Sequence, residues 1–230
     1  MAVDEGVEPG RPASRTAAVA PERLTGWFQR FTARHGAVTW TASPTTVVVC
    51  AADGAVAECT VPFPPLDQGD ATYAGLPEHA LRDRRVGVLL VRLGGHAAGV
   101  FDGSVLVTSK VGSRPVHGRN AAGGQSQQRF ARRREGQVRV ALREAADVAV
   151  RVLLPDVDRL DAVVLGGDRA AVDAVLADRR LAPLRGLVTG PLLTVPDPRL
   201  RVLQDAPRLF RAVRIAVTDA PAAERSTAGP

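Results

Sequence analysis

The chain has 230 residues, 45% of them apolar, which is enough to bury a substantial core in one domain or in one domain with a small extension. Thirty Lys and Arg residues outnumber 24 Asp and Glu residues, and the net charge of +6 favours a polyanionic partner such as nucleic acid or the ribosome. Two cysteines exclude a disulfide framework, and no run approaches the roughly 20 apolar residues of a membrane span.

Both ends of the chain are predicted to be disordered. Residues 1–20 and 220–230 are rich in alanine, proline, glycine and serine, and they contain little that a core could bury. The first segment carries no hydrophobic signal core. We therefore expect no export, and the predicted location is the cytoplasm.

A helix and a hairpin are predicted to form an N-terminal extension over residues 21–82. Apolar side chains recur at helical spacing in Pro21–His35, which indicates a short amphipathic helix. Two β-forming runs, Thr45–Cys50 and Ala55–Val61, flank an Asp-Gly pair and predict a hairpin with one cysteine on each arm. The proline-punctuated remainder of the extension is predicted to be a connector.

The main body is predicted to occupy residues 83–219 and to begin with a three-stranded meander. Its strands are predicted over Val86–Arg92, Ala97–Phe101 and Ser104–Val111, with glycine-containing turns between them. A long helix is predicted to follow, from about Ser126 to Leu153.

This long helix is predicted to have an apolar face and a basic face. The apolar side chains recur at spacings of four and three: Val138, Leu142, Ala145, Ala149 and Val152. At about 100° per residue, five arginines fall on the opposite side: Arg129, Arg132, Arg133, Arg143 and Arg151. Arg134 projects toward the apolar side instead.

Strands and helices are predicted to alternate after the long helix. Asp161–Leu165 is a buried-strand run, and Asp168 in the following Gly-Gly-Asp turn is a candidate N-cap for a helix over Arg169–Arg180. The remaining predicted elements are strands over Leu187–Val195 and Val213–Thr218 and a short helix over Pro207–Ala212. The order of elements predicts an α/β (α+β) fold, a mixed sheet with helices on its faces.

The segment that joins the meander to the long helix carries the most distinctive chemistry. Gly123 and Gly124 allow the backbone to bend sharply and to approach another molecule closely. Gln125 and Gln127 offer donors and acceptors without charge, and the arginines that follow can bind phosphate through two parallel hydrogen bonds. The combination predicts a site that acts on or within RNA. A plain turn before a solvated helix face would contain the same residue types.

Three residues before the glycines are further candidate RNA contacts: Lys110, Arg114 and His117. Lys110 and Arg114 would extend the basic surface, and His117 could contact RNA or donate a proton. Ordinary solvated side chains fit the same positions. The other histidines are scattered and show no metal-ligand spacing.

The run GGQSQQRFARRREGQ, residues 123–137, resembles the signature of the Vms-like release factors, specifically their actinobacterial branch of peptidyl-tRNA hydrolases. More distantly, it is similar to the GGQ loop of eukaryotic and archaeal class 1 release factors. The resemblance is strongest over about Arg84 to Thr218. GGQ alone is unspecific, whereas GG-x-SQ-x-RF followed by basic residues, between a meander and a long helix, is considerably more specific.

The resemblance implies an RNase H-like mixed sheet, as in the catalytic domain of class 1 release factors. It also implies hydrolysis of the ester that links a nascent peptide to tRNA. The implied partners are a stalled large ribosomal subunit, its rRNA and peptidyl-tRNA; no membrane or DNA is expected, and no metal or organic cofactor is implied. Because the chain is short and shows no decoding module, we expect action that is independent of a stop codon.

Two glutamines remain candidates for the catalytic position in this resemblance. Counting as in the GGQ of class 1 factors selects Gln125, whereas the pattern of the Vms-like branch selects Gln127, which we favour. Arg129, Arg132, Arg133 and Arg134 would bind phosphates of rRNA or of the tRNA acceptor end.

Two other functions are compatible with the same residues. The chain could be a non-catalytic protein that binds rRNA or tRNA through the basic helix. Alternatively, the loop could promote cleavage within the tRNA 3′ end instead of at the ester.

Overall fold

The computed structural model describes residues 14–67, 69–113 and 125–219, and for residues 125–133 it describes the backbone only. The chain divides into two compact units. The first joins residues up to Leu81 with those from Ala212 onward, and the second is Arg82–Arg211.

The described residues form nine strands and six α-helices. The strands are β1 (Ser14–Val19), β2 (Val38–Ala42), β3 (Thr46–Ala51), β4 (Val56–Thr60), β5 (Arg85–Arg92), β6 (Gly95–Asp102), β7 (Val105–Ser113), β8 (Ala162–Gly167) and β9 (Val213–Thr218). The helices are α1 (Pro21–His35), α2 (Leu76–Leu81), α3 (Gln125–Leu153), α4 (Arg169–Leu176), α5 (Leu200–Asp205) and α6 (Pro207–Phe210). No helix among these has both the length and the apolar character that a membrane span requires.

The first unit is an antiparallel sheet with α1 on one face. Its strand order is β1-β9-β4-β3-β2. The amphipathic pattern of α1 is satisfied there, because Leu24, Phe28 and Phe31 are buried in the core of this unit. The predicted helix and the predicted β3–β4 hairpin are both confirmed, and each arm of the hairpin carries one free cysteine.

Three features of the first unit differ from the sequence prediction. The start of the chain was predicted to be disordered up to Ala20, but Ser14–Val19 forms β1 and pairs with β9. Strand β9 was assigned to the main body, but it lies between β1 and β4 in this sheet. Strand β2 was not predicted, and the predicted connector contains α2. Composition favours coil for Ser14–Val19, and pairing with the distant strand β9 overrides it.

The second unit is a mixed sheet with the strand order β7-β6-β5-β8. The meander β5–β6–β7 is antiparallel, and β5 pairs with β8 in parallel. Helices α3 and α4 pack against one face. On the other face, Leu203 of α5 contacts Gly99, and the Phe101 ring meets Phe210 of α6 at 5.7 Å between centroids. The predicted fold class, a mixed sheet with helices on its faces, is confirmed.

The region after β8 follows the prediction only in part. Asp168 is the N-cap of α4, since its side chain accepts a hydrogen bond from the Ala171 N–H. The predicted helix ends at Leu176, four residues early, because Asp178 caps a new 3-10 segment over Arg179–Leu187. The predicted strand over Leu187–Val195 is wrong; it makes only two single bridges to β8.

Candidate functional site

The predicted catalytic segment is attached to the second unit at two described points, the end of β7 at Ser113 and the start of α3 at Gln125. Four predicted site residues lie outside the described part of the chain: Arg114, His117, Gly123 and Gly124. Five others lie on the helical backbone of α3, with side chains that are not described: Gln125, Gln127, Arg129, Arg132 and Arg133. The described geometry of the site is therefore that of α3 and β7, the two elements that flank this segment.

The C-terminal half of α3 is anchored in the core of the second unit. Ala145, Ala149 and Leu153 are buried there, and Leu153 is fully inaccessible to solvent. A side chain at Gly87 of β5 would meet the Leu153 Cδ2 atom at 3.4 Å, so α3 ends over this glycine. This part of the helix is fixed by apolar contact.

Two pairs of neighbouring positions indicate how α3 runs along the sheet. Leu153 lies at Gly87, which pairs with Val100 of β6. Nine residues earlier, Glu144 lies near His96, at the other end of β6. Nine helical residues span about 14 Å, and the four strand residues from His96 to Val100 also span about 14 Å. The helix therefore follows β6 closely from Glu144 onward.

The first half of α3 extends past the ends of the strands of this sheet. Gly112, which pairs with His96, is followed in β7 only by Ser113. From Gln125 to Ala141 a straight α-helix rises about 24 Å. Roughly that length of α3 therefore projects beyond the sheet on the side where β7 ends. We call residues 125–141 the projecting half of α3.

The exposure of the described α3 side chains agrees with an anchored C-terminal half and a projecting N-terminal half. Val138 was predicted to begin the apolar face, but the described α3 side chains that pack in the core start at Leu142. Val138 is only half-buried and Val140 is 43% exposed. Sequence periodicity identified the correct face of the helix but not the point at which the face loses its packing partner.

The described basic side chains of the site are accessible. Arg134 is half-buried, whereas Arg139 and Arg143 are exposed. Lys110 is also exposed, and it pairs with Ala98, whose side chain packs under α3. Since paired residues of neighbouring strands point to the same face of a sheet, Lys110 lies on the same side of the sheet as α3. The edge position of β7 explains why this lysine remains exposed.

His96 fixes the end of β7, a role that the sequence did not indicate. The imidazole is buried and covers Gly112, where a Cβ atom would overlap the ring. Burial lowers the pKa of His96, and the nearby Glu144 carboxylate partly opposes this effect. The predicted catalytic segment thus leaves the sheet beside a closely packed pair of residues, His96 and Gly112. Only the strand register reveals this pair, so no sequence signal could have found it.

An ion-pair network holds α3 at the base of the projecting half. The Arg180 guanidinium contacts Asp147 of α3 at 2.8 Å and Asp178 at 2.7 Å. Hydrogen bonds from Arg180 lower the pKa of Asp178 to about 2. The network links the helix to the 3-10 segment after α4. In the described part of the chain, no three His, Cys, Asp or Glu side chains are grouped so that they could hold a metal ion.

The sequence of the second unit matches a known protein family. The model of the actinobacteria/chloroflexi VLRF1 release factors matches residues 84–216, which is more than half of the chain. The matched region contains the sheet of the second unit and all of α3. It places the protein among release factors, with a release-factor-like role. More particularly, the chain belongs to the actinobacteria/chloroflexi VLRF1 release factor family, which confirms the resemblance seen in the sequence.

Solved structures with similarity to the chain include two with functional descriptions. The crystal structure of the archaeal translation termination factor aRF1 is 15% identical, with a TM-score of 0.40; the match covers 83% of this chain and 62% of that one. The Vms1 mitochondrial localization core is 9% identical, with a TM-score of 0.43, and the coverage is 84% and 81%. A third match, described as an archaeal protein, is 14% identical with a TM-score of 0.38, and the chain covers 48% of its length. No curated protein matches the sequence at a significant level.

Proposed function

We propose that this protein is a ribosome-associated peptidyl-tRNA hydrolase that releases nascent chains from stalled ribosomes or large subunits without reading a codon. The observation that carries the proposal is the projecting half of α3. It starts at the predicted catalytic glutamines and rises about 24 Å over residues 125–141. An α-helix is about 10–12 Å wide with its side chains, which suits entry into a narrow cavity of folded RNA.

The proposed reaction is the attack of water on the ester between peptide and tRNA. In this scheme Gln127, or alternatively Gln125, orients the water with its amide. A glutamine side chain has no pKa near neutrality, so it positions the nucleophile and is not a general base. Backbone N–H groups of the glycine segment would stabilise the developing oxyanion. A carboxylate in the same place would be repelled by the surrounding phosphates, whereas an amide is not.

The basic residues supply the binding energy in this proposal. Arg129, Arg132 and Arg133 would pair with phosphates of rRNA or of the tRNA acceptor end, and Arg134 would join them from the side of the helix. Lys110, Arg114 and His117 would extend this surface along β7 and the segment that follows it. Phosphate contacts of this kind fix orientation without reading sequence, which is consistent with action on any stalled chain in the cytoplasm.

Separate substitution of the two glutamines tests the proposal. Purified large subunits carrying peptidyl-tRNA are incubated with wild type, Gln125→Ala or Gln127→Ala, and free peptide is measured together with subunit binding. We expect Gln127→Ala to lower the rate of release by about 10²–10³-fold, the range seen when one preorganised catalytic group is removed. Binding should stay within a few-fold of wild type.

The matched Gln125→Ala variant identifies the catalytic position. If it loses release and Gln127→Ala does not, the roles of the two residues are exchanged and the mechanism stands. If both variants release peptide like wild type, the amide mechanism is wrong and the chain is a binding protein. If the released tRNA has lost part of its 3′ end, the activity is that of a nuclease.

A further inference from the structure

Helix α1 of the first unit uses one side for the core of that unit. Leu24, Phe28 and Phe31 are buried, and Trp27 stacks on Phe31 with 5.3 Å between ring centroids. These apolar side chains are therefore occupied, and α1 has no free apolar face with which to enter a lipid bilayer. Any function of this helix beyond packing must use its opposite side.

The opposite side of α1 carries a stripe of three arginines. Arg23, Arg30 and Arg34 are all exposed, at spacings of seven and four residues. At about 100° per residue they fall within an arc of about 40°, and the stripe is about 17 Å long. None of the three forms an ion pair with a carboxylate of the described residues. Three exposed arginines on one side of the helix, without a carboxylate partner among the described residues, form a surface for a polyanion.

A glycine lies within α1 next to this stripe. Gly26 lies in the helix interior, where glycine is unfavourable relative to alanine. Packing does not require it: a Cβ atom there would meet only the terminal Nη1 atom of Arg30, at 3.3 Å. The space over Gly26 is thus filled only by the flexible end of the Arg30 side chain. Once Arg30 turns to a phosphate, that space is open to the backbone of another molecule.

We propose that α1 is a second RNA-binding surface, in which Arg23, Arg30 and Arg34 contact phosphates of folded RNA and Gly26 allows the RNA backbone to approach. The surface lies in the first unit and is separate from the projecting half of α3. The choice of RNA among polyanions rests on the proposed function. The buried apolar face argues against a membrane, because interfacial helices bind by inserting that face.

The experiment measures how binding to purified large ribosomal subunits depends on salt. The triple variant Arg23→Gln, Arg30→Gln, Arg34→Gln is compared with a control that removes the same charge from α4, α5 and β9: Arg169→Gln, Arg201→Gln, Arg214→Gln. These control arginines are exposed and belong to neither proposed surface. Each lost phosphate contact lowers the slope of log affinity against log salt by about 0.7–0.9.

We expect the α1 triple variant to reduce this slope by about 2–3, and the control variant to change it by less than 1. Equal slopes for the two variants would overturn the proposal. So would loss of binding to anionic phospholipid vesicles with unchanged binding to subunits. Gly26→Ala is a second variant, and alanine favours the helix at this position. Weaker binding by this folded variant supports close approach of the RNA backbone at Gly26. Unchanged binding refutes this role of Gly26.

Failure of this inference is distinguishable from failure of the proposed function. If α1 is not an RNA surface, the triple variant binds like the control while wild type still releases peptide and Gln127→Ala does not. If the release reaction is wrong, wild type releases no peptide even where the salt slope shows that α1 contacts RNA.

Discussion

The two halves of α3 belong to one continuous helix, but different interactions constrain their amino-acid sequences. From Leu142 onward the helix is fixed by buried apolar side chains, and the half-exposed Asp147–Arg180 ion pair links it to the 3-10 segment after α4. Before Leu142 the described helix has little apolar contact, and its sequence is dominated by arginine and glutamine. An anchored half can therefore hold a functional half at a fixed distance. The functional half then needs no core of its own.

The largest expected effect is in the anchored half. Leu153→Ala removes a fully buried side chain and leaves a cavity beside Gly87. It should lower the free energy of unfolding by about 2–5 kcal/mol. The matched change in the projecting half is Val140→Ala, at a side chain that is 43% exposed, and it should stay within about 0.5 kcal/mol. Urea denaturation of the two variants measures both values.

Similar losses for Leu153→Ala and Val140→Ala would contradict the division of α3, because they would place both residues in equivalent environments.

A pair of glycine substitutions should change stability in opposite directions. Gly112→Ala puts a methyl group into the buried His96 ring, and we expect a loss of about 1–3 kcal/mol. Gly136→Ala lies in the projecting half, where nothing is within 4 Å of the added atom, and we expect a gain of about 0.5–1 kcal/mol from helix propensity. Thermal unfolding of each variant gives the sign. A loss at Gly136 would mean that the projecting half packs against something.

The smallest expected effect concerns pH. Hydrogen bonds from Arg180 lower the pKa of Asp178 from 3.8 to about 2. Because the folded pKa lies below the unfolded value, the stabilisation is fully present above about pH 4 and disappears as the pH falls toward 2. Wild type should therefore lose more stability than Arg180→Gln does between about pH 4.5 and about pH 2.5, roughly the window of this shift.

Arg201→Gln, which changes an exposed arginine of α5, is the control for this measurement and should follow wild type. Equal pH dependence in wild type and Arg180→Gln would show that the network does not hold Asp178 in its ionised form.

Local patterns predicted the parts of the fold in which neighbouring residues determine the structure. Apolar spacing gave α1 and the face of α3, and Asp-Gly between β-formers gave the β3–β4 hairpin. The β1–β9 pairing was missed because it joins residues about 200 positions apart, a separation at which composition carries no pairing information. The exposed residues of β1 also lack the alternation that predicts a half-buried strand.

The candidate site was predictable in its chemistry and not in its geometry. The glycine-glutamine-arginine run identified the residue types and the family. It could not show that α3 loses its packing partner before Leu142, because Val138 has the same apolar character as the residues that are packed. The His96–Gly112 contact was likewise invisible, since it depends on the register of β6 against β7.

The central claim is that this protein frees peptide from tRNA by hydrolysing the ester. The most direct measurement is incubation of the wild-type chain with large subunits that carry labelled peptidyl-tRNA. Free peptide and the tRNA 3′ terminus are then analysed together. The account predicts free peptide and a tRNA with an intact CCA end. Peptide that stays attached to tRNA in the presence of bound protein, or a tRNA shortened at its 3′ end, would contradict it.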